Sequence, residues 1–360
     1  YGSLFNFIYE KSSSKLILGG TLNKYFGDHF GEVIWARNAG NSEIRHRYYD
    51  NYGNKEEFNL FAKFQHTFND KLYAFVDLQN RNINYDAELI GGNNINKSFN
   101  FFNPKAGLYY KLNRNNEFYL SFARAHREPT RTDYENGNPF PEMLDDFELG
   151  WKYKGKKSIY NINLYFMDYN DQLVLTGERD DVGYYIRANV GESYRAGIEF
   201  DGIFFINDYF TIKPNITFSS NKNNDYLTQF DGSLRNFGKT DISFSPNLIF
   251  GNTVEYNLNS KTLLFFNTKY VGKQYMSNTN VDSSVLASYL VNDLGLNYNF
   301  SIPGFSQDSE LKLLVNNLLN QKYESYGGHY FYDIDNKTYS GSYFYPMAEI
   351  NFLLGLDFNF

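Results

Sequence analysis

Five histidines, a set of arginines and a run of tyrosines are the side chains of this chain with chemistry to offer. The histidines, His29, His46, His66, His126 and His329, are scattered and form no His-x-x-x-His pair. His126 and His329 could ligate a haem iron as paired imidazoles if both faced one cavity. Otherwise His126 pairs with wall residues and His329 is a solvated loop histidine. Arg124, Arg127, Arg131, Arg187 and Arg195 carry forked guanidinium groups suited to carboxylate, catecholate or phosphate ligands. The structural alternative is a ladder of wall salt bridges with Glu128, Glu142, Glu148 and Glu199. Between Tyr323 and Tyr345 the chain holds Tyr326, His329, Tyr330, Phe331, Tyr332, Tyr339, Tyr343 and Phe344. Stacked rings of this kind could grip a bulky ligand, or simply pack a loop. The ligand-binding candidates are Arg127, Arg131, Tyr326, His329, Tyr330, Tyr332 and Tyr343. Asp180-Asp181 and Asn221–Asp225 resemble calcium ligands but are ordinary turn sequences without EF-hand spacing. No metal site, cofactor or catalytic group is assigned, and no enzyme is expected: no glycine-rich phosphate loop leads from a strand into a helix.

These residues must be positioned by strands. In the last stretch Phe352, Leu354, Leu356, Phe358 and Phe360 fall on one side of a period of two, and Asn351, Asp357 and Asn359 on the other. Alternation of this kind makes a strand with one oily and one mostly polar face. It recurs at Tyr160–Phe166, Ile212–Phe218 and Ile242–Phe250. Pro214 and Pro246 lie on the oily faces, where each would remove a ladder bond, so a bulge or distorted pairing is expected there. About fifteen strands follow, near 4–10, 15–25, 56–68, 71–86, 98–111, 116–126, 145–154, 158–175, 193–206, 209–222, 242–257, 260–271, 288–300, 309–318 and 347–360. A further hairpin is open at Val33–Trp35 and Ile44–Tyr49.

Composition fits the same picture. Aromatics make up 19% of 360 residues, with 33 Tyr and 35 Phe, yet mean hydropathy is −0.54. No apolar run approaches the length of about 18 residues that a membrane helix needs. Amphipathic strands explain a polar mean and an aromatic excess together. Short Asn, Asp, Gly, Ser and Lys turns alternate with long loops, roughly 26–55, 87–98, 127–144, 176–192, 221–241, 272–287 and 319–345. That rhythm is the signature of a transmembrane antiparallel β-barrel, whose oily face meets lipid. A net charge of −7 argues against a nucleic-acid partner. The absence of cysteine excludes disulfides and thiolate sites.

Four segments then resemble one family. Phe122-Ala-Arg-Ala-His-Arg-Glu-Pro-Thr-Arg, followed by Pro141-Glu-Met-Leu-Asp-Asp-Phe-Glu-Leu-Gly, is similar to "FREP … PE-x-L-x-x-x-E-L-G". Asn189-Val-Gly-Glu-Ser-Tyr-Arg-Ala-Gly-Ile-Glu-Phe is similar to "N-x-G-x-x-x-x-x-G-[IV]-E". Val315-Asn-Asn-Leu-Leu-Asn-Gln-Lys-Tyr and the aromatic terminal strand complete the set. In this order over 120–360 they resemble the barrel of TonB-dependent outer-membrane receptors of the Bacteroidetes type. Residues 1–120 match through the hairpin rhythm and Gly27-Asp-His-Phe-Gly.

The resemblance implies several things. Residues 1–360 are expected to be one partial barrel domain of a larger, plugged barrel of about 22 strands. The odd strand count and the opening inside a strand lead to the expectation that the plug domain and first strands lie outside the chain. Localisation is expected in the outer membrane of a Gram-negative bacterium. The expected partners are outer-membrane lipid, the TonB-ExbB-ExbD energy-coupling complex and a small-molecule nutrient. The leading ligand class is a ferric siderophore, with haem, cobalamin or oligosaccharide as alternatives within the family. A passive porin-type channel is the alternative outside it. Some haem receptors of the family place an axial histidine in the loop after this first motif; here Arg127–Leu144 contains none.

Overall fold

The computed structural model describes residues 1–38, 40–89, 94–180 and 183–359, without the side chains of 307 and 359. Two expectations, Asp181 as a calcium ligand and Phe360 as the last oily residue, lie outside the described residues. The chain divides into two compact units, 1–108 with 121–145, and 109–120 with 146–360.

The chain begins with four long strands, β1 (Gly2–Lys11), β2 (Ser14–Val33), β3 (His46–Asn69) and β4 (Leu72–Glu88). Then come β5 (Asn94–Lys111) and β6 (Asn116–Arg127), one short helix α1 (Arg131–Glu135), and β7 (Glu142–Lys154). β8 (Ser158–Asn170) leads into a hairpin of β9 (Leu173–Arg179) and β10 (Tyr185–Asn189). β11 (Ser193–Phe205) and β12 (Phe210–Asn223) precede a second hairpin, β13 (Leu227–Phe230) and β14 (Ser233–Asn236), and the two-residue β15 (Thr240–Asp241). β16 (Leu248–Asn259) and β17 (Thr262–Val271) are followed by the small pair β18 (Gln274–Tyr275) and β19 (Val285–Leu286). β20 (Tyr289–Ile302), β21 (Ser306–Asn316), the hairpin β22 (Glu324–Ile334) and β23 (Lys337–Pro346), and β24 (Asn351–Asn359) end the chain.

One antiparallel sheet carries the wall, in the order β1-β2-β3-β4-β5-β6-β7-β8-β11-β12-β16-β17-β20-β21-β24, with β15 added to β12. Every neighbour in it follows in chain order once the off-wall hairpins are set aside, so no connection crosses over. All fifteen expected strands have their counterpart here. The open question at Val33–Trp35 and Ile44–Tyr49 resolves as longer β2 and β3, with Val33 opposite His46, and not as a new hairpin.

Two further boundaries differ by more than four residues. Asp171 turns into the left-handed region (φ +53°), so the apolar run Leu173-Val-Leu leaves β8 and starts β9. Residues 242–247 are not strand. Phe244 has φ +52°, its N–H donates to Tyr275 O at 2.8 Å, and Ile242 is buried. Pro246 therefore sits outside any strand, after the turn at Ser243–Phe244, whereas Pro214 keeps a regular pairing opposite Asn252.

The oily rows are bare. Phe352, Leu354 and Leu356 are 74%, 66% and 52% exposed, with no second layer over them among the described residues. In the second unit Leu164, Ile198, Phe218 and Leu248 lie directly opposite one another across β8, β11, β12 and β16. An apolar belt of that extent belongs in hydrocarbon. The buried clusters sit instead at or just beyond the strand ends: Ala87, Leu89, Ile95 and Tyr134 in the first unit, and Val174, Val190, Tyr226 and Ile242, and Val271, Tyr289 and Val291, in the second.

Candidate functional site

In the first unit ion pairs tie the strands to one another and to the segment after β6. Lys55 and Glu57 project from the same face of β3, two residues apart, and Arg81 from β4 reaches them. The Arg81 fork takes Glu57 Oε1 at 2.7 Å and Glu128 Oε2 at 2.7 Å, and Lys55 Nζ adds Glu128 Oε1 at 2.5 Å. Burial alone would push the Glu128 carboxyl up, but Arg81 and Lys55 outweigh it and hold it below its ordinary value. Arg131 begins α1, whose N-cap Thr130 forms a capping box with Asp133. Its guanidinium donates to Glu88 O at 2.7 Å and to Glu135 at 2.9 Å. Arg127 pairs with Glu142 at 2.9 Å, and Arg124 takes both oxygens of Asp145 at 2.7 and 2.6 Å. His126 lies on the Phe101 ring, with Nδ1 2.8 Å from Asn103 Oδ1. Tyr134 is the buried residue of α1 that packs on Ala87, Leu89 and Ile95, and desolvation pushes its hydroxyl up to about 12.

The second unit has a different loop layer, in which β9–β10, β13–β14 and β22–β23 converge. β22 alternates: His329 and Phe331 turn inward, Tyr330 and Tyr332 outward. His329 is fully buried, which corrects the solvated-loop reading. Ser342 Oγ donates to Ser283 O at 2.5 Å, so it accepts from His329 Nδ1–H at 2.8 Å. Nε2 is thereby left as a buried lone pair with no partner among the described residues. Burial lowers the imidazole below its usual value. The outward face is a stack: Tyr330 on Tyr332 at 6.2 Å and Tyr332 on Tyr339, its cross-strand partner, at 5.7 Å. Tyr326 stacks on Phe244 at 5.1 Å, and desolvation, then Tyr185, raises its hydroxyl well above the ordinary range. Arg179 Nε donates to Tyr343 Oη at 3.0 Å, and the same guanidinium reaches Gly183 O and Tyr185.

A cavity of about 350 Å³ opens between the three hairpins. Glu178, Asp333, Gln229, Thr176 and Thr338 give it polar walls, and Tyr226, Phe230, Phe331 and Tyr332 give it aromatic ones. The Glu178 carboxylate accepts the Phe331 N–H at 3.3 Å and has no cation partner among the described residues. Burial pushes this carboxyl up, against the pull of that N–H. A second cavity, about 290 Å³, is lined by Glu148, Tyr165, Arg195, Glu199 and Phe244. Arg195 there donates to Ser245 Oγ at 2.9 Å. No group of three His, Asp or Glu side chains among the described residues could hold a metal ion.

The family model described as TonB dependent receptor-like, beta-barrel matches residues 2–318. The chain belongs to the TonB-dependent receptor β-barrel family. No curated protein matches it. Among solved structures, it is similar to the ferric citrate transporter FecA in its unliganded form, at 16% identity and a TM-score of 0.74, covering 99% of this chain and 53% of that one. The siderophore receptor PiuA from Acinetobacter baumannii gives 15% identity and a TM-score of 0.71, covering 99% and 55%. The copper transporter OprC gives 13% and 0.75, covering 99% and 56%. At these identities the likeness is one of fold, and the chain spans about half the length of each.

Within this TonB-dependent receptor barrel the candidate residues fall into two groups. Arg127 and Arg131 belong to the first unit and are held by its own carboxylates and carbonyls. Tyr326, His329, Tyr330, Tyr332 and Tyr343 share one loop layer in the second unit, but only Tyr330 and Tyr332 are open to solvent, at 43% and 47% exposure. The sequence reading did not single out Glu178, Tyr226, Phe230 or Asp333. Each sits in a plain loop segment, and only the docking of three hairpins brings them together.

Proposed function

We propose that this chain is the barrel part of an outer-membrane receptor that captures a scarce, bulky nutrient at the cell surface and imports it with energy relayed through TonB-ExbB-ExbD. The observation that carries this reading is the pairing of a lipid-facing strand wall with a folded, cavity-bearing loop layer, in a chain that the receptor barrel family matches over 2–318. A passive pore has no use for a loop layer packed around a buried histidine and an aromatic stack. The loop side chains recognise; they do not react.

Within that reading a ferric siderophore is the leading ligand. Siderophore and ferric citrate receptors among the similar folds support it, although a copper transporter stands beside them. The Tyr330, Tyr332 and Tyr339 face offers stacking area for a chelate, with Tyr343 and Tyr326 farther along the same face of the hairpin and His329 packed on the opposite one. Arg127 and Arg131 would meet an anionic ligand only by giving up Glu142 or Glu135.

Deleting the gene in its source organism tests both levels. Loss of growth on a ferric chelate as sole iron source, with uptake abolished by removing TonB, is the expected result. Uptake that persists without TonB overturns the receptor reading in favour of a passive channel. Loss confined to a haem, corrin or glycan source overturns the siderophore assignment and keeps the receptor.

A further inference from the structure

The cavity between β9–β10, β13–β14 and β22–β23 is more selective than an aromatic surface. Its walls hold two carboxylates, Glu178 and Asp333, and no lysine, arginine or histidine among the described residues. Asp333 already accepts the Thr338 hydroxyl at 2.6 Å. Glu178 has only the Phe331 N–H, at 3.3 Å. The arginine next to it, Arg179, is turned away and engaged by Tyr343, Gly183 and Tyr185. Arg235 of β14 lies over the Phe230 and Phe237 rings at 5.2 and 4.8 Å and does not line the cavity. A half-buried carboxylate without a cation is costly to keep. Aromatic faces beside it add a favourable field for a positive charge, and none for a negative one.

We propose that this cavity is a recognition subsite for a ligand group bearing a protonated amine, with Glu178 as its counter-ion and the Phe331 and Tyr226 rings as its walls. The proposal rests on the receptor reading and narrows its ligand to molecules with a pendant ammonium group. It excludes a carboxylate, phosphate or catecholate from this position, because each would meet two carboxylates and no cation. A volume of about 350 Å³ admits such a side arm and not a whole metal chelate.

The test uses the full-length receptor, solubilised, with three water-soluble probes of equal length: pentane-1,5-diamine, pentane-1,5-diol and glutarate. Calorimetric titration is expected to show saturable binding of the diamine, with the diol on the order of tenfold weaker and glutarate unbound. Glu178→Gln keeps the acceptor for the Phe331 N–H and removes the charge. It is expected to weaken the diamine on the order of tenfold, and Phe331→Leu about threefold to fivefold. Unchanged unfolding temperatures for both variants show that the loop layer is intact. Equal affinity for diol and diamine, undiminished binding by the Glu178→Gln receptor, or no saturable binding at all overturns the subsite. None of these results touches TonB-dependent uptake, so the receptor reading stands or falls separately.

Discussion

Glu128 in the first unit and Glu178 in the second are both carboxylates placed outside the wall strands, the first directly after β6 and the second in the β9–β10 hairpin, and their surroundings differ in kind. Glu128 is met by the Arg81 fork and by Lys55, so its charge is matched inside the protein. Glu178 is met by one backbone N–H and by aromatic rings. The first arrangement is complete as it stands and serves to tie β3 and β4 to the segment that follows β6. The second is complete only when something positive is added. A self-satisfied charge network argues for structure, and an unsatisfied charge in an open cavity argues for recognition.

The sharpest way to break the first half of this contrast is Arg81→Met. It leaves Glu57 and Glu128 facing each other with only Lys55 between them. Removing one member of a partly buried pair of this kind costs about 3 kcal/mol. Chemical unfolding of the full-length receptor should show it, and adding Glu128→Gln in the same molecule should recover part of the loss. If Arg81→Met is neutral, the network is not what fixes the first unit.

Gly177 tests the second half by geometry. Its φ is +96°, and a Cβ there would stand 2.5 Å from Met276 O and 2.8 Å from His329 O. Both neighbours are backbone, so neither can swing aside. Gly177→Ala is expected to cost the loop layer about 2 kcal/mol through strain and displacement. Limited proteolysis should cut the loops of the second unit faster, with the strand wall still resistant.

Much of the wall was legible in the sequence because a period of two is a local signal. Phe352 to Phe358 reads as a strand from those residues alone. The exceptions were local too: Asp171 and Phe244 adopt left-handed backbone angles that no apolar pattern announces. The loop layer was not legible, because its partners are distant. Arg131 could be read as a ligand contact or as a wall ion pair, and neither reading shows the carbonyl of Glu88, 43 residues away, to which it is tied. His329 looked solvated, but the β22 register turns it inward against Ser342. Glu178 attracted no notice, since one glutamate in Thr-Gly-Glu-Arg has nothing in its sequence to mark it.

His329 gives a smaller effect with a definite sign. Burial holds its folded-state value below the ordinary 6.5, so the unfolded loop takes up a proton before the folded one does. The contribution of its packing is therefore full above about pH 6.5 and is lost as pH falls below it. Proteolysis of the loops of the second unit should accelerate from pH 7.5 to 5.5, and His329→Gln should flatten that dependence. The ion pairs around Glu128 should not follow the same curve, because Arg81 and Lys55 hold that carboxyl below its ordinary value. A loop layer indifferent to pH would mean that the imidazole is not the buried neutral group the geometry describes.

The smallest stability effect belongs to the outward stack, and its smallness is the point. Tyr332 and Tyr339 face each other on the exposed side of the β22–β23 hairpin, and such a cross-strand pair is worth about 0.5 kcal/mol. Tyr339→Ala should barely move the unfolding temperature. If the same substitution lowers uptake of the ligand several-fold, the stack is a contact surface, because a hairpin this little disturbed has no other route to the loss. Equal and slight changes in both measurements would make the three tyrosines loop packing. Recognition would then retreat to the cavity behind them, where Phe331 and Glu178 are already paired through a backbone N–H.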